Sequence, residues 1–256
     1  MKKAFIFNPV VWGMYVLILF LSCIKDKETI MPSSQKQSTP EDLQENLSGK
    51  WIVNKDPLPN TREISTFTFF EFSAEKKFIV FTQDTIYFGT YSINSSLDTI
   101  TLPGLGILAI HTLDAAVFNF SLKQEGEDNF NKLFTTFEDP TIPSSVQTDL
   151  LCKKMWTINW QYKDVPDRDT IYFDGSNWLT SIDIYFSRNG TYFLHNVVEG
   201  GNNINSIKTW SWQDVSETAI LAGSPEPIRV MKLTDTEFYY SFKDGAGDTY
   251  YASASR

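Results

Sequence analysis

The sequence predicts an all-β protein: two tandem, small, antiparallel up-and-down β-barrels that follow an N-terminal signal peptide and a flexible tether. Three observations carry this. Short runs that alternate apolar and polar residues, punctuated by Asn, Asp, Gly, Ser and Pro, stand where a helical period would otherwise be sustained. Aromatic residues make up 15% of the chain and accompany many Thr and Ile, side chains that pack well on a pleated surface. The whole pattern also occurs twice, which is the mark of a duplicated unit.

The N-terminus opens on Lys2 and Lys3, then the apolar run Val10 to Leu21, then Ser22-Cys23. That run is too short to span a bilayer comfortably, and a basic start with a small residue at its end reads as a secretory signal, residues 1–22. Leu19-Phe20-Leu21-Ser22-Cys23 resembles a bacterial lipobox, which implies that Cys23 becomes the first mature residue and carries acyl chains. Residues 23–46 are rich in Ser, Gln, Pro and Thr and bury too little apolar surface to offset chain entropy, so a lipidated flexible tether is expected there. The charged residues directly after Cys23 resemble the signal for display on the outer face of some outer membranes, which implies an outer-membrane, lipid-anchored protein.

The chain carries a formal charge of −9; without the two lysines of the signal the balance is 20 basic against 31 acidic residues. A phosphate backbone is repelled by that total, and no basic run is interleaved with aromatics, so nucleic acid is excluded as a partner. With Cys23 acylated, Cys152 has no intramolecular partner and reads as a small buried apolar residue.

The first unit, residues 47–138, holds eight short runs near 50–55, 65–73, 76–82, 85–93, 97–102, 107–113, 116–123 and 131–137. Consecutive strands joined by tight turns predict a meander that closes on itself and so removes exposed edges. A Pro-rich linker is expected at 139–149, and the second unit runs over 150–256. Trp51 matches Trp156 at an offset of 105, Phe72 matches Phe186 at 114, and Phe118 matches Phe238 at 120. Phe118, Phe120 and Leu122 share one face of a strand, and Phe238, Tyr240 and Phe242 repeat that face in register. Between Phe186 and Tyr192, Asn189-Gly190 suits a two-residue hairpin turn; Glu75-Lys76-Lys77 stands in the first copy. The pentapeptide DTIYF also occurs twice, at Asp84–Phe88 and Asp169–Phe173, but 85 residues apart. Its second copy therefore falls in an insertion that lengthens the Trp-to-Phe spacing, and the two copies are not equivalent positions.

Leu47-Ser48-Gly49-Lys50-Trp51 resembles the Gly-x-Trp entry to the first strand of lipocalins. The Phe-Ser hairpin and the hairpin at Leu233-Thr234-Asp235 resemble the lipocalin-like domains of bacterial surface lipoproteins. The resemblance covers both units, and the second departs from it with Lys154 where Gly49 stands. It implies a Trp that plugs the closed end of each barrel and a mouth open to ligand at the other. It does not extend to retinoid or pheromone binding, because the other sequence blocks of the eukaryotic lipocalins are not found.

No catalytic residue, metal site or cofactor is expected. His111 and His195 sit on strands of different units, outside any nucleophile or metal-ligand motif. Asp164, Asp167, Asp169 and Asp174 cluster around the second DTIYF, but the glycine that an EF-hand loop requires is missing. The candidate ligand contacts are Trp178, at a loop tip unique to the second unit, and Trp210 with Trp212, two large rings on one strand face that either line a cavity or, as small barrels are usually filled by their own side chains, simply pack it. Asp-Thr-Ile, present three times, resembles an O-glycan acceptor of exported proteins, which implies Thr85, Thr99 and Thr170 as modification sites. The expected partners are the membrane, through the acylated N-terminus, and a small apolar or saccharide ligand. The alternative is an accessory lipoprotein with filled barrels that contacts another envelope protein.

Overall fold

A computed structural model describes residues 39–55, 66–165, 170–173, 179–201 and 203–256. Cys23, the signal, the tether up to Ser38, Trp178, Asp167, Asp169 and Asp174 lie outside the described residues. No described helix is long and apolar enough to cross a membrane.

Two adjacent antiparallel β-barrels form, each preceded by a short helix. The first comprises α1 (Pro40–Leu47), β1 (Gly49–Val53), β2 (Phe67–Phe72), β3 (Lys77–Thr82), β4 (Ile86–Thr90), β5 (Ser92–Ile93), β6 (Thr99–Leu102), β7 (Gly106–Leu113), β8 (Val117–Gln124) and β9 (Asn131–Glu138). The second comprises α2 (Val146–Cys152), β10 (Trp156–Lys163), β11 (Thr170–Tyr172), β12 (Leu179–Phe186), β13 (Thr191–Val198), β14 (Ile204–Trp212), β15 (Ala219–Ala222), β16 (Ile228–Leu233), β17 (Glu237–Lys243) and β18 (Thr249–Ser255).

In the first barrel β1 pairs with both β2 and β9, and the ladder ends at β4 and β5. Those two are one strand bent at Tyr91, so the ring is completed through the covalent chain. In the second, β10 pairs with β12 and with β18, while β14 runs straight and serves both β13 and β15. Eight strands therefore close each barrel, as the eight alternating runs predict. β11 is the exception, a ninth strand laid on β10. It carries Thr170-Ile171-Tyr172 of the second DTIYF, whereas the first DTIYF lies in β4, whose equivalent in the second barrel is β14.

The closed ends are built alike. Trp51 is fully buried and its indole N–H donates to the Leu47 carbonyl at 2.8 Å; Trp156, equally buried, donates to the Leu151 carbonyl at 3.0 Å. A helix end and a ring thus plug each barrel, and the otherwise unpaired indole donor and helix carbonyl satisfy one another. Gly49 has φ +128, and a Cβ there would lie 2.4 Å from the Phe137 ring, which packs edge-on against Trp51. At the second plug the Arg256 guanidinium lies 3.9 Å over the Trp156 ring instead, and Lys154, which stands where Gly49 does, reaches Glu75 at 3.5 Å.

The segments flanking the first barrel are more ordered than composition suggests. The end of the expected tether forms α1, started by a capping box between Thr39 and Asp42 and anchored by buried Leu43 and Leu47. The second half of the expected linker is the start of α2, capped by the Ser145 hydroxyl, and Ile142 is buried in the second barrel's core. Two or three apolar anchors outweigh a polar composition once a surface exists to receive them.

The Asn189-Gly190 turn also differs from expectation. Gly190 N–H donates to Ser187 O, Ser187 N–H donates to Thr191 O, and only Gly190 has positive φ (+76). This is a three-residue loop ending in a left-handed residue rather than a two-residue turn, which would need positive φ at both central positions. The first barrel repeats it between Ser73 and Lys77 with Lys76 held at φ +60. In both copies that residue's carbonyl accepts from the N–H at the same position of the fourth strand, Tyr91 or Trp210.

The barrels share a junction. Phe69, Ile79 and Phe193 form a separate apolar cluster, and Phe88 packs on Phe193 and His195 at 4.9 and 5.0 Å. Asn189 donates to the Glu138 carbonyl at 2.6 Å. At its centre lies Glu71 of β2, 2% exposed, which accepts from the Ser187 and Thr191 hydroxyls of the second barrel. One of its oxygens is left without a partner, and Lys50, bridged to Glu138 at 2.7 Å, provides only a distant favourable charge. Burial raises this carboxyl above its ordinary value despite those partners.

Candidate functional site

The two barrels differ inside. The second contains a cavity of about 240 Å³, while the corresponding interior of the first is packed with rings and leucines. The ladders show why. Trp51 is opposite Phe70, but Trp156 is opposite Ile184. Phe120 is opposite Leu133 and Phe118 opposite Thr135, but Tyr240 and Phe238 face Ala252 and Ala254. Leu102, at the base of β6, is replaced by Ala222 at the same level of β15. Each replacement removes side-chain volume from a rigid ring of strands that cannot contract to recover it, so the deficits add up to a void.

The cavity wall is mainly apolar: Ile158, Ile182, Ile184, Leu194, Ala222 and Ile228, with Tyr192, Tyr240 and Phe242. Burial pushes the Tyr192 and Tyr240 phenols well above the ordinary tyrosine value, so both stay neutral. Charge is confined to the rim beside the 223–227 loop, where Lys208, Ser224, Glu226 and Lys243 gather. The Ser224 hydroxyl accepts from the Glu226 N–H and shapes that loop. Glu226 reaches Lys243 only loosely, at 3.9 Å between half-exposed side chains. Gln161 and Asn196 supply amides, the latter donating to the Ile204 carbonyl at 3.1 Å.

Lys208 occupies a distinctive place. It stands opposite Tyr192 on β14, in the same alternation as Trp210 and Trp212, and therefore on the interior side of the wall. At the equivalent ladder position of the first barrel Gly89 stands opposite Phe78, and a Cβ there would meet the Phe78 ring at 2.9 Å. The Lys208 stem lies across Gly223, whose φ is +65 and whose missing Cβ would fall 2.3 Å from the Lys208 Cδ. A glycine thus makes room for a filling phenylalanine in one barrel and for a lysine in the other.

The sequence-predicted contacts lie elsewhere. Trp210 is buried at the floor, donating to the Ser187 carbonyl at 2.8 Å, and Trp212 donates to the Thr148 hydroxyl of α2 at 2.9 Å. The two rings meet edge to face at 5.6 Å and close the base; neither lines the cavity. The shared face was foreseeable, but which end of the barrel it meets depends on the docking of α2. The residues missed, Ile184, Ala222 and Lys208, carry a signal only when the two copies are compared inward position by inward position.

The remaining candidates are dispersed. His111 is exposed on β7 with Nε2 2.7 Å from the Ser121 hydroxyl, and His195 pairs through Nδ1 with Asn205 at 2.7 Å in the junction. Cys152 is half-buried in the base of the second barrel, and burial pushes its thiol far up. Among the described residues no three His, Cys, Asp or Glu side chains converge as metal ligands. Thr85 and Thr170 are exposed at strand starts, whereas Thr99 is half-buried and donates to the Asp98 carboxylate at 2.9 Å.

No family model and no curated protein matches the chain. Solved structures similar to it include a protein of unknown function from the DUF3598 family of Nostoc punctiforme PCC 73102. That likeness covers 85% of this chain and 99% of the other at 10% identity, with a TM-score of 0.26, too low to carry an argument.

Proposed function

We propose that the protein is a lipid-anchored envelope protein whose second barrel binds a small, largely apolar molecule and whose first barrel is a filled support. The observation that carries this is the cavity of about 240 Å³ at the level where buried rings and leucines occupy the first barrel. It falls somewhat short of the ~300–1,000 Å³ typical of drug-sized ligand sites, which favours a compact ligand. The wall, mostly Ile, Leu, Ala and aromatic side chains, favours an apolar body over a saccharide. Native mass spectrometry of protein purified from its own cells tests the reading: a retained small molecule is expected, and its loss on filling the cavity with Ala222→Leu places it in the second barrel. Retention that survives the substitution counts against the site.

The anchor is tested separately. Cys23→Ser is expected to release the protein from membranes, and unchanged membrane association overturns the lipid-anchor reading. A second reading, an accessory protein that contacts an envelope partner, draws support from the solid first barrel. Co-purification of a stoichiometric protein partner, with no small molecule retained, would favour it.

A further inference from the structure

Resting on the reading of the second barrel as a binding site, we propose that its ligand carries an anionic head group, a carboxylate, sulfate or phosphate, held at the rim by Lys208 with Lys243 beside it. The argument begins with the wall. Among the described residues its side chains below the rim are uncharged, mostly apolar with two phenols and two amides, so a ligand body inside meets no counter-charge and any charge it carries must lie at the opening.

Among the described residues, two ammonium groups and one carboxylate line that opening. Glu226 is that carboxylate, and its separation of 3.9 Å from Lys243 leaves the pair loose. Lys208 has no ion-pair partner among the described residues. The other described acids near this end are committed elsewhere or stand away from the cavity lining. Asp244 accepts from the Ala246 and Asp248 N–H groups, and Asp248 is bridged to Lys163. Asp164 lies in the turn after β10, where its N–H donates to the Thr249 carbonyl, and Glu199 is exposed in the turn after β13.

Position adds to composition. In a chain of net charge −9, a lysine stands on the interior alternation of a barrel strand, and Gly223 gives up its side chain where the lysine stem crosses. That crossing limits the directions the stem can take, and the exposed side chain is one of those that line the cavity. A pre-positioned ammonium beside a low-dielectric cavity attracts an anion more strongly than a freely swinging surface lysine does. The ligand class is therefore a compact amphiphile with an apolar tail inside and an acid at the mouth.

The test compares three probes of equal tail length on the full chain, decanoate, decan-1-ol and decylamine, by displacement of a fluorescent apolar dye. Decanoate is expected to bind at least about ten-fold more tightly than decanol, with decylamine weakest. Lys208→Met, which keeps an apolar stem, is expected to bring decanoate down to decanol while decanol is unchanged; Lys208→Glu is expected to favour decylamine. Lys232→Met, on the outer face and paired with Glu237 at 2.5 Å, is the control expected to leave the ranking intact. Equal binding of decanoate and decanol to the unaltered protein overturns the head-group inference and leaves the cavity reading standing. Binding of none of the three overturns both.

Discussion

The two barrels share a plug, a hairpin and an eight-stranded meander, yet one is solid and the other hollow. What separates them is a handful of inward side chains: Phe70, Leu102, Leu133 and Thr135 in the first against Ile184, Ala222, Ala252 and Ala254 in the second. A closed ring of strands sets its own diameter through hydrogen-bond register, so its interior volume is nearly independent of what fills it. Trimming a few residues then yields a cavity without altering the fold. Duplication leaves one copy free to keep the solid interior while the other gives up packing for space.

The largest effect expected from breaking this comparison lies at the feature both barrels share. Trp51→Ala and Trp156→Ala should each cost about 3–5 kcal/mol in urea unfolding, since each removes a fully buried ring and orphans a helix carbonyl. A much smaller cost at Trp156 would mean that the hollow barrel tolerates loss of its plug, and the shared-architecture reading would fail there.

Next comes the junction. The folded state holds the Glu71 proton more readily than the unfolded chain, whose carboxyl titrates near its ordinary 4.5. The contribution of Glu71 to stability is therefore most favourable below that pH. It is lost as pH rises from there toward the raised folded value, and the cost is constant above it. Glu71→Gln removes this dependence and should gain about 1–3 kcal/mol at neutral pH, with little change under acid conditions. Equal effects at both pH values would show that the carboxylate is better solvated than its burial implies.

Converting the hollow barrel toward the solid one is expected to have a smaller effect on stability and a decisive one on binding. Ala222→Leu copies Leu102 and should add about 0.5–2 kcal/mol while abolishing uptake of the apolar dye. Loss of stability would mean that the strand ring is set at a different diameter in the two barrels.

The smallest effect concerns the repeated hairpin. Lys76 adopts the left-handed conformation that Gly190 adopts in the other copy, so Lys76→Gly should stabilise the first barrel by roughly 1 kcal/mol. Gly190→Ala should do the reverse, with Thr141 only 3.0 Å from the added Cβ.

Much of this was readable in the chain. Strand alternation has period two and the aromatic residues keep it, so Phe118, Phe120 and Leu122 announce their shared face, and Phe238, Tyr240 and Phe242 repeat it. The plug tryptophans follow from the entry motif, and the unequal offset of DTIYF correctly sets its second copy apart in β11. The site was less readable. Trp210 and Trp212 drew attention because they are large, but large rings fill space, and a cavity is found where side chains are small. Lys208 looks like an ordinary surface residue until the pairing with Tyr192 puts it on the inner alternation.

The sequence by itself determined the class of fold, the eight strands of the first unit and the duplication, because these rest on local periodicity and on matches between segments; the plugs were what the resemblance to lipocalins implied. Only the tertiary structure decided that α1 and α2 dock, that Glu71 is buried between the barrels and that the second barrel is hollow. Each of those depends on volume or desolvation summed over residues far apart in the chain, and such sums exist only once the strands have closed.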